Sequence, residues 1–326
     1  MKHHYLPQFY LKRWRNPAHK VVYYTLKNAT VTEDEISPEH TGYEKDLYAK
    51  VDVPEDQKHD IEINCFKQID DNAAIAIDKA LTGGIDQLDQ TQRHDLGRFI
   101  ISLLVRHAAI VENTKRQSDA VLEDLFNNST AIEQAIYKEQ VDVLRKNFAI
   151  ETIAAMSSTT NSPLNKYKIS NFDEANETLL KMTWWLENFS KLNYTLLTSD
   201  HPVSISLLNK PSGASHLRIK DYFLDQDYLL SIPLSPTICF YAHINDRVTF
   251  SNTKSLLKTR NLVTLTAAKQ FIYAVNRDQR GFVEKNILKN PTLKKYYDEQ
   301  VNFIKNREES RKAIIKKRAH ENQLVQ

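Results

Sequence analysis

The segment most suggestive of chemistry is the opening of the chain, His4-Tyr5-Leu6-Pro7-Gln8-Phe9-Tyr10-Leu11. Chain ends usually fray unless they are tied down, but Pro7 restricts the backbone here and the surrounding aromatic side chains can anchor it. Anchoring would hold the His4 imidazole and the Gln8 amide in place. Because histidine titrates near neutral pH, His4 can act as a general base or a metal ligand. The alternative is an aromatic plug whose polar groups only satisfy buried backbone.

A second polar segment, Thr198 to Pro202, follows a run that is predicted to be a strand, Tyr194 to Thr198. Asp200 is therefore expected on a loop at the end of a strand, which is a common place for catalytic groups. Its carboxylate would hold a metal ion or orient a histidine. The alternative is an Asx-type turn, in which Ser199 and Asp200 cap the backbone before the proline.

A third candidate lies on the helix with the clearest apolar periodicity, where His107 falls near the middle of the apolar face and Arg106 flanks it. A lone histidine on such a face is more often a hydrogen-bonded core residue than a ligand. A flanking arginine usually extends its stem along the apolar surface. If a cleft lies there, Arg106 would contact an anion or a phosphate. The apolar positions of this face are Leu96, Phe99, Ile100, Leu103, Leu104, Ala108 and Val111.

Basic side chains are concentrated in a predicted C-terminal helix over 293–321, which follows Pro291. This helix has few apolar positions, which favours a solvated helix that packs only at its start. The alternative is a surface that contacts a phosphate backbone, where each Lys or Arg adds salt dependence to binding. The basic residues are Lys305, Arg307, Arg311, Lys312, Lys316, Lys317 and Arg318.

The composition excludes several classes of protein. The 326 residues carry 44 basic and 41 acidic side chains, and this net charge of +3 is too small for a strongly basic nucleic-acid binder. Six glycines and the absence of Walker A, GxGxxG, GxSxG and HExxH motifs argue against the common nucleotide, serine-hydrolase and zinc-protease sites. Cys65 and Cys239 form no metal knuckle or disulfide framework, so a reducing, cytoplasmic location without a membrane span is expected.

The elements that must position these residues follow from the apolar pattern. Val21 to Leu26 and the run from Val31 predict a small hairpin. Helices are predicted over 61–81, from an N-cap at Thr91 to about residue 111, over 132–156, over 173–183 and over 253–275. Strands are predicted at Tyr194 to Thr198, Val203 to Leu208, Tyr228 to Ile232, Ile238 to Ala242 and Val248 to Phe250.

Strands and helices are thus segregated, which predicts an α+β fold. It comprises a small N-terminal hairpin, a central helical bundle, and C-terminal antiparallel strands with a long terminal helix. A polar break at 157–163 divides the chain into an N-terminal motif, hairpin and helical region, 1–156, and a mixed region, 157–326. The two regions together are expected to form one compact domain over 3–275 with a C-terminal helical extension.

The opening segment, followed by Lys12-Arg13-Trp14, resembles the signature of the bacterial domain of unknown function (DUF) 4238 family. A helix that ends at Arg106, the element Thr198 to Pro202, and Pro233-Leu234-Ser235-Pro236 are similar to further elements of that family, so the resemblance spans roughly 3–275. The chain departs from the family pattern at His201, where asparagine is frequent, and at His107-Ala108, where Thr-Pro is usual. The family name implies no activity.

A fold that brings the matching segments together would create an active site. The leading hypothesis is a hydrolase of phosphodiesters or nucleotides, such as a nuclease effector, whose partner is a nucleic acid or a nucleotide. In it His4 is general base or ligand, Asp200 is ligand or orienter, and Arg106 stabilises phosphate charge; a divalent metal ion is a cofactor that such a site would use. Substrate binding is assigned to Gln8, Tyr10, Arg13 and Ser199.

Two other functions remain open from the sequence. One is a non-catalytic binding or regulatory module, in which the N-terminal motif is structural. The other is a nucleic-acid-binding protein that works through the basic C-terminal helix.

Overall fold

The computed structural model describes residues 1–127, 146–154, 173–207, 210–213 and 228–302. Within these ranges helices and antiparallel strands occupy largely separate stretches of the chain, and the expected α+β class is confirmed. The strands are β1 (Lys2–His4), β2 (Val21–Lys27), β3 (Thr30–Ile36), β4 (Tyr43–Lys45), β5 (Thr183–Asn188), β6 (Thr198–Ser199), β7 (Ser204–Leu207), β8 (Lys210–Gly213), β9 (Tyr228–Pro233), β10 (Ile238–His243) and β11 (Ile272–Ala274).

The helices carry most of the remaining described residues. They are α1 (Gln8–Leu11), α2 (Lys67–Gly83), α3 (Gln90–Val105), α4 (Ala108–Asn127), α5 (Asp173–Lys181), α6 (Thr253–Ala267) and α7 (Arg280–Asn286). A π-helical turn, Ile61–Phe66, leads directly into α2. Unlabelled helical segments cover 146–154 and 291–302. The predicted terminal helix is therefore present over its described part, and its basic residues from Lys305 onward lie outside the described residues.

The opening nineteen residues are more regular than the loop that their two prolines suggest. β1 pairs with β4, α1 follows Pro7, and a 3₁₀ turn, Lys12–Trp14, completes the segment. Tyr10 and Trp14 are fully buried. The predicted anchoring by aromatic side chains is thus present, and it fixes the position of His4 at the end of β1.

The predicted hairpin of β2 and β3 forms and becomes part of a four-stranded sheet in the order β3-β2-β11-β6. The last two strands in this order, β11 and β6, differ from the prediction. Residues 272–274 pair with β2, although they were expected to continue a helix, and the run expected from Tyr194 forms a strand only at Thr198–Ser199. The β11–β2 pairing joins segments more than 240 residues apart and the β11–β6 pairing joins segments more than 70 apart, so no local pattern reports them.

The second large sheet is antiparallel and has the order β5-β10-β9-β7-β8. Its edge strand β5 escapes prediction because Trp184 and Trp185 are buried on opposite faces, which removes the alternation typical of a half-exposed strand. One face packs against the main core that α2 and α3 supply, and the other packs against Leu256 and Leu257 of α6. The strand expected at Val248 to Phe250 is absent.

The helix that was expected to run past residue 107 ends at Arg106. His107 then starts a new helix, because its Nδ1 accepts the Ala109 amide at 3.1 Å and thereby satisfies the first turn of α4. The start of α3 also differs from the prediction. Asp89, rather than Thr91, is the N-cap, and it forms a capping box with Gln92.

The proposed boundary at 157–163 lies outside the described residues, and the two-region division stays a prediction. The pairing of β2 with β11 nevertheless links strands from the two sides of that boundary. In the described part of the chain, none of the helices has the length and apolar character needed to cross a membrane.

Candidate active site around His4

The imidazole of His4 lies between the first strand and the first helix. Its Nε2 is 3.2 Å from Nε2 of Gln8, one turn along the motif, and its ring packs against Tyr43 on β4. An amide nitrogen can only donate, so in this orientation His4 Nε2 accepts and a neutral ring carries its proton on Nδ1. Gln8 therefore sets the tautomer of His4, and rotation of its amide would reverse that choice.

A carboxylate that the sequence reading missed lies directly behind His4. The backbone amide of His4 donates to Oε1 of Glu62 at 3.1 Å. Glu62 belongs to the π-helical turn, a rare conformation that often occurs at functional sites. Its second oxygen, Oε2, is buried and has no hydrogen-bond partner among the described residues.

The pKa values of the two groups shift in opposite directions. Burial lowers the pKa of His4, and the positive charges of Lys2 and Arg106 lower it further. Burial raises the pKa of Glu62 to about 7, although the His4 amide and the charge of Arg106 act in the opposite direction. At neutral pH these shifts favour the neutral form of the His4 imidazole and a partly protonated Glu62 carboxyl group.

Arg106 supplies positive charge to this region from the interior. Its side chain is fully buried, and Nη1 donates to Oδ1 of Asp70 at 2.9 Å. The Tyr48 hydroxyl donates to the Arg106 carbonyl. Burial raises the pKa of Asp70 to about 6 even though Arg106 opposes that shift. The expectation that Arg106 contacts a substrate phosphate is corrected here, because an arginine buried in an ion pair acts on the site only through its field.

Asp200 does not lie free at the site. Its two oxygens accept the amides of Lys269, Gln270 and Phe271 at 2.8, 2.7 and 3.0 Å. Burial alone would raise the pKa of Asp200, but the side chain of His107 and these amides outweigh it and hold the pKa below its usual value. The role of metal ligand is therefore replaced by a structural one: Asp200 closes the turn that leads into β11.

His107 completes the Asp200 cluster. Its Nε2 is 3.6 Å from Oδ2 of Asp200, and Tyr5 packs on the imidazole at a ring-centroid distance of 4.6 Å. With Nδ1 occupied by the Ala109 amide and Nε2 buried against Asp200, His107 is not placed to act on a substrate. His107 is thus a buried, hydrogen-bonded histidine, as its place on an apolar face indicated.

Three further residues assigned to substrate binding have structural contacts instead. The Tyr10 hydroxyl donates to the Pro233 carbonyl and lies 2.7 Å from Oγ1 of Thr198. Arg13 binds the Phe9 carbonyl and the Asp78 carboxylate on α2. Ser199 is fully buried on β6, and its Oγ accepts the His201 amide. Tyr10 and Ser199 are buried, which argues against their assignment to substrate binding, while the assignment of Arg13 stays a prediction and Gln8 lies at the His4 site.

The match to a known family covers this whole arrangement. A family model described as "Protein of unknown function (DUF4238)" matches residues 2–278. The chain belongs to the DUF4238 family. The matched range contains both the His4 site and the Asp200 turn. No curated protein and no solved structure matches the chain.

Next to the His4 site, the described residues of the DUF4238 chain include a group of donor atoms with the spacing of a metal centre, formed by His3, Asp46 and His59. Nε2 of His3 is 3.0 Å from Nδ1 of His59. Nδ1 of His3, however, accepts the Tyr48 amide at 2.9 Å, which places the ring proton on Nε2. A histidine that binds metal through one nitrogen normally donates from the other, so His3 does not fit a metal ion at Nε2.

The sequence of this DUF4238 protein did contain a signal for the missed carboxylates. Glu62, Phe66 and Asp70 are spaced four apart, and residues at this spacing share one side of a helix. Two acidic residues around a buried Phe on a core-facing side need positive partners. Only the fold identifies that partner as Arg106, which lies 36 residues after Asp70.

Proposed function

We propose that this protein is a hydrolase of phosphodiesters or nucleotides, with His4 and Glu62 as its acid–base pair. The observation that carries the proposal is the 3.1 Å hydrogen bond from the His4 backbone amide to Oε1 of Glu62, and the opposite directions of their pKa shifts, downward for His4 and upward for Glu62, agree with it. Paired groups whose environments separate their protonation states in this way are typical of acid–base sites.

The chemistry divides between the two side chains. When the Gln8 amide rotates so that its oxygen accepts from Nε2, Nδ1 of His4 becomes the free base and takes a proton from the attacking water, whose oxygen bonds to phosphorus. Protonated Glu62 gives its proton to the leaving oxygen as the phosphorus–oxygen bond breaks. Gln8 supports the change on His4, because rotation of its amide turns an oxygen toward the imidazolium that forms.

The charges near the site favour an anionic substrate. The ammonium of Lys2 lies over the Tyr43 ring, 4.4 Å from its centroid, and Lys2 is exposed. Arg106 adds positive potential from the buried side, since its charge lowers the pKa of His4. In this proposal Lys2 contacts the phosphate, while Arg106 and Gln8 are positioning residues.

Hydrolysis assays on single-stranded RNA, single- and double-stranded DNA, nucleotides and bis(p-nitrophenyl) phosphate test the proposal. They are run from pH 5 to 9, with EDTA, Mg²⁺ or Mn²⁺. We expect turnover of at least one substrate by the wild type and a loss of about 10²- to 10⁴-fold in kcat for His4→Gln and for Glu62→Gln. The alkaline limb of the pH profile, where Glu62 loses its proton, should disappear in Glu62→Gln.

Matched controls are His94→Gln and Glu55→Gln, which place the same substitutions on α3 and on an exposed loop. Both should keep wild-type activity. Absence of turnover by the folded wild type under every condition, or full activity in both site variants, would refute the proposal.

The second candidate is a non-catalytic module in which the motif is a structural plug. It is favoured by the hydrogen bonds of Tyr10 and Trp14, which fasten the motif to Pro233 and Leu196. It predicts that His4→Gln lowers the melting temperature and changes no catalytic parameter. Binding of nucleic acid by the basic C-terminal helix remains a third proposal, whose residues lie beyond the described part.

A further inference from the structure

The two-stranded ribbon formed by β1 and β4 presents different side chains on its two faces. Its register pairs Lys2 with Lys45 and His4 with Tyr43. Residues directly opposite each other in an antiparallel pair lie on one face, and so do residues two apart along a strand. Lys2, His4, Tyr43 and Lys45 therefore share one face, the outer face, which includes the imidazole of the His4 site.

The outer face meets the solvent, whereas the inner face meets the core. Lys2 and Lys45 are exposed, and His4 and Tyr43 are partly exposed. His3, which projects from the inner face, is fully buried. A ligand on the outer face would therefore lie on the protein surface, beside the groups that the proposed reaction uses.

Positive and negative side chains lie on different faces of the ribbon. Glu44 is paired with His3 in the register and so belongs to the inner face. Asp46 follows β4, and a carboxylate oxygen of Asp46 lies within 4.8 Å of ring nitrogens of His3 and His59, again on the inner side. The outer face keeps the two lysines, whose ammonium groups are suited to phosphate oxygens.

The spacing along the outer face suits the repeat of a nucleic-acid backbone. The ammonium of Lys2 lies over the Tyr43 ring, 4.4 Å from its centroid, and so leans toward the His4 end of the face. Lys45 belongs to the other cross-strand pair, which is about 6–7 Å along the ribbon from the pair of His4 and Tyr43. Neighbouring phosphates of an extended strand have a similar separation, so a phosphodiester at His4 places the next phosphate near Lys45.

We propose that the outer face of the β1–β4 ribbon binds a single-stranded nucleic acid, with Lys45 holding the phosphate next to the one at His4. This inference rests on the proposed function, since it takes the phosphodiester at His4 as the reacting one, and it narrows the substrate from nucleotides to strands. Cations beside an aromatic ring are a combination with which proteins hold single strands. The second phosphate contributes binding energy that a mononucleotide or a small diester lacks.

Binding of a fluorescein-labelled oligothymidylate in EDTA, followed by fluorescence anisotropy as the salt concentration is raised, tests this site. We expect Lys45→Gln to weaken binding by roughly 5-fold at about 0.1 M salt and to reduce the slope of log K against log salt by about 0.7, as the loss of one phosphate contact to a single strand requires. Lys27→Gln is the matched control, because it removes an exposed lysine at the end of β2, in another sheet, and should change neither quantity.

Hydrolysis kinetics separate the strand site from the catalytic pair. Lys45→Gln should raise KM for the oligonucleotide several-fold more than KM for bis(p-nitrophenyl) phosphate, which has no second phosphate. Unchanged affinity and salt slope in Lys45→Gln, an equal loss in Lys27→Gln, or competition by thymidine monophosphate as strong as by the unlabelled oligonucleotide would overturn the strand site, even if the protein hydrolyses diesters. Binding that depends on Lys45 without turnover of any substrate would support the strand site and refute the hydrolase.

Discussion

The backbone amide of His4 donates a 3.1 Å hydrogen bond to Oε1 of Glu62, which connects the end of β1 to a π-helical turn 58 residues later. This contact orders the Glu62 carboxylate through Oε1, while Oε2 is buried and has no hydrogen-bond partner among the described residues. His4 and Glu62 are partly exposed, unlike Tyr10 and Ser199.

Replacement of Glu62 by Gln should change how stability depends on pH. The folded pKa is about 7 and the unfolded value is 4.5, so the folded state binds the extra proton between these values. Wild-type stability should therefore fall, relative to Glu62→Gln, as pH rises from 4.5 through 7, by about 1–3 kcal/mol. Urea unfolding at pH 4.5, 6 and 8 measures this difference, and Glu55→Gln should show none. A constant difference across the range would contradict the raised pKa.

Replacement of Gln8 by Glu should raise the pKa of His4. A carboxylate within hydrogen-bond distance of Nε2 favours the imidazolium, by about 1 pKa unit or more. NMR titration of the histidine ring resonances measures the shift, with the His4 signal assigned through His4→Gln. If the site is catalytic, the acidic limb of its pH profile should move by the same amount. An unchanged His4 titration would show that Gln8 does not control this ring.

Replacement of Asp200 by Asn should destabilise the fold by about 2–4 kcal/mol, since an amide cannot accept at both positions from Lys269, Gln270 and Phe271. The folded pKa of Asp200 is lowered, so its contribution is present above the unfolded pKa and is lost as pH falls through the folded pKa. Chemical denaturation measures both effects, with exposed Asp56→Asn as control. Unaltered stability together with lost activity would indicate that Asp200 has a catalytic role and not a structural one.

Replacement of Asp70 by Asn should leave Arg106 as an unpaired buried charge and cost about 3–5 kcal/mol. The matched control is Asp78→Asn, which breaks the pair with Arg13 where the carboxylate is 73% exposed. That pair should contribute less than about 1 kcal/mol. Equal losses in the two variants, measured by urea unfolding, would mean that burial does not control the strength of the Arg106 pair.

The sequence by itself determined the features that depend on neighbouring residues. The α+β class follows from segregated periodic runs, and the β2–β3 hairpin follows from two β-rich runs around Asn28-Ala29. The family resemblance rests on the contiguous opening motif, and the family match confirms it. The apolar periodicity from Leu96 to Val111 likewise predicted that His107 is buried. Each of these patterns lies within a single helix, hairpin or contiguous motif. It can therefore be recognised without knowledge of the tertiary structure.

Tertiary structure alone decided which distant polar groups meet. The sequence indicated that His4, Asp200 and Arg106 share a site, but it could not show that the 269–271 amides occupy both oxygens of Asp200. Nor could it show that Glu62 lies behind His4. The sequence does not distinguish a free carboxylate from a fully hydrogen-bonded one. Their chemistry differs through burial and partners, and the folded chain supplies both from segments far away in sequence.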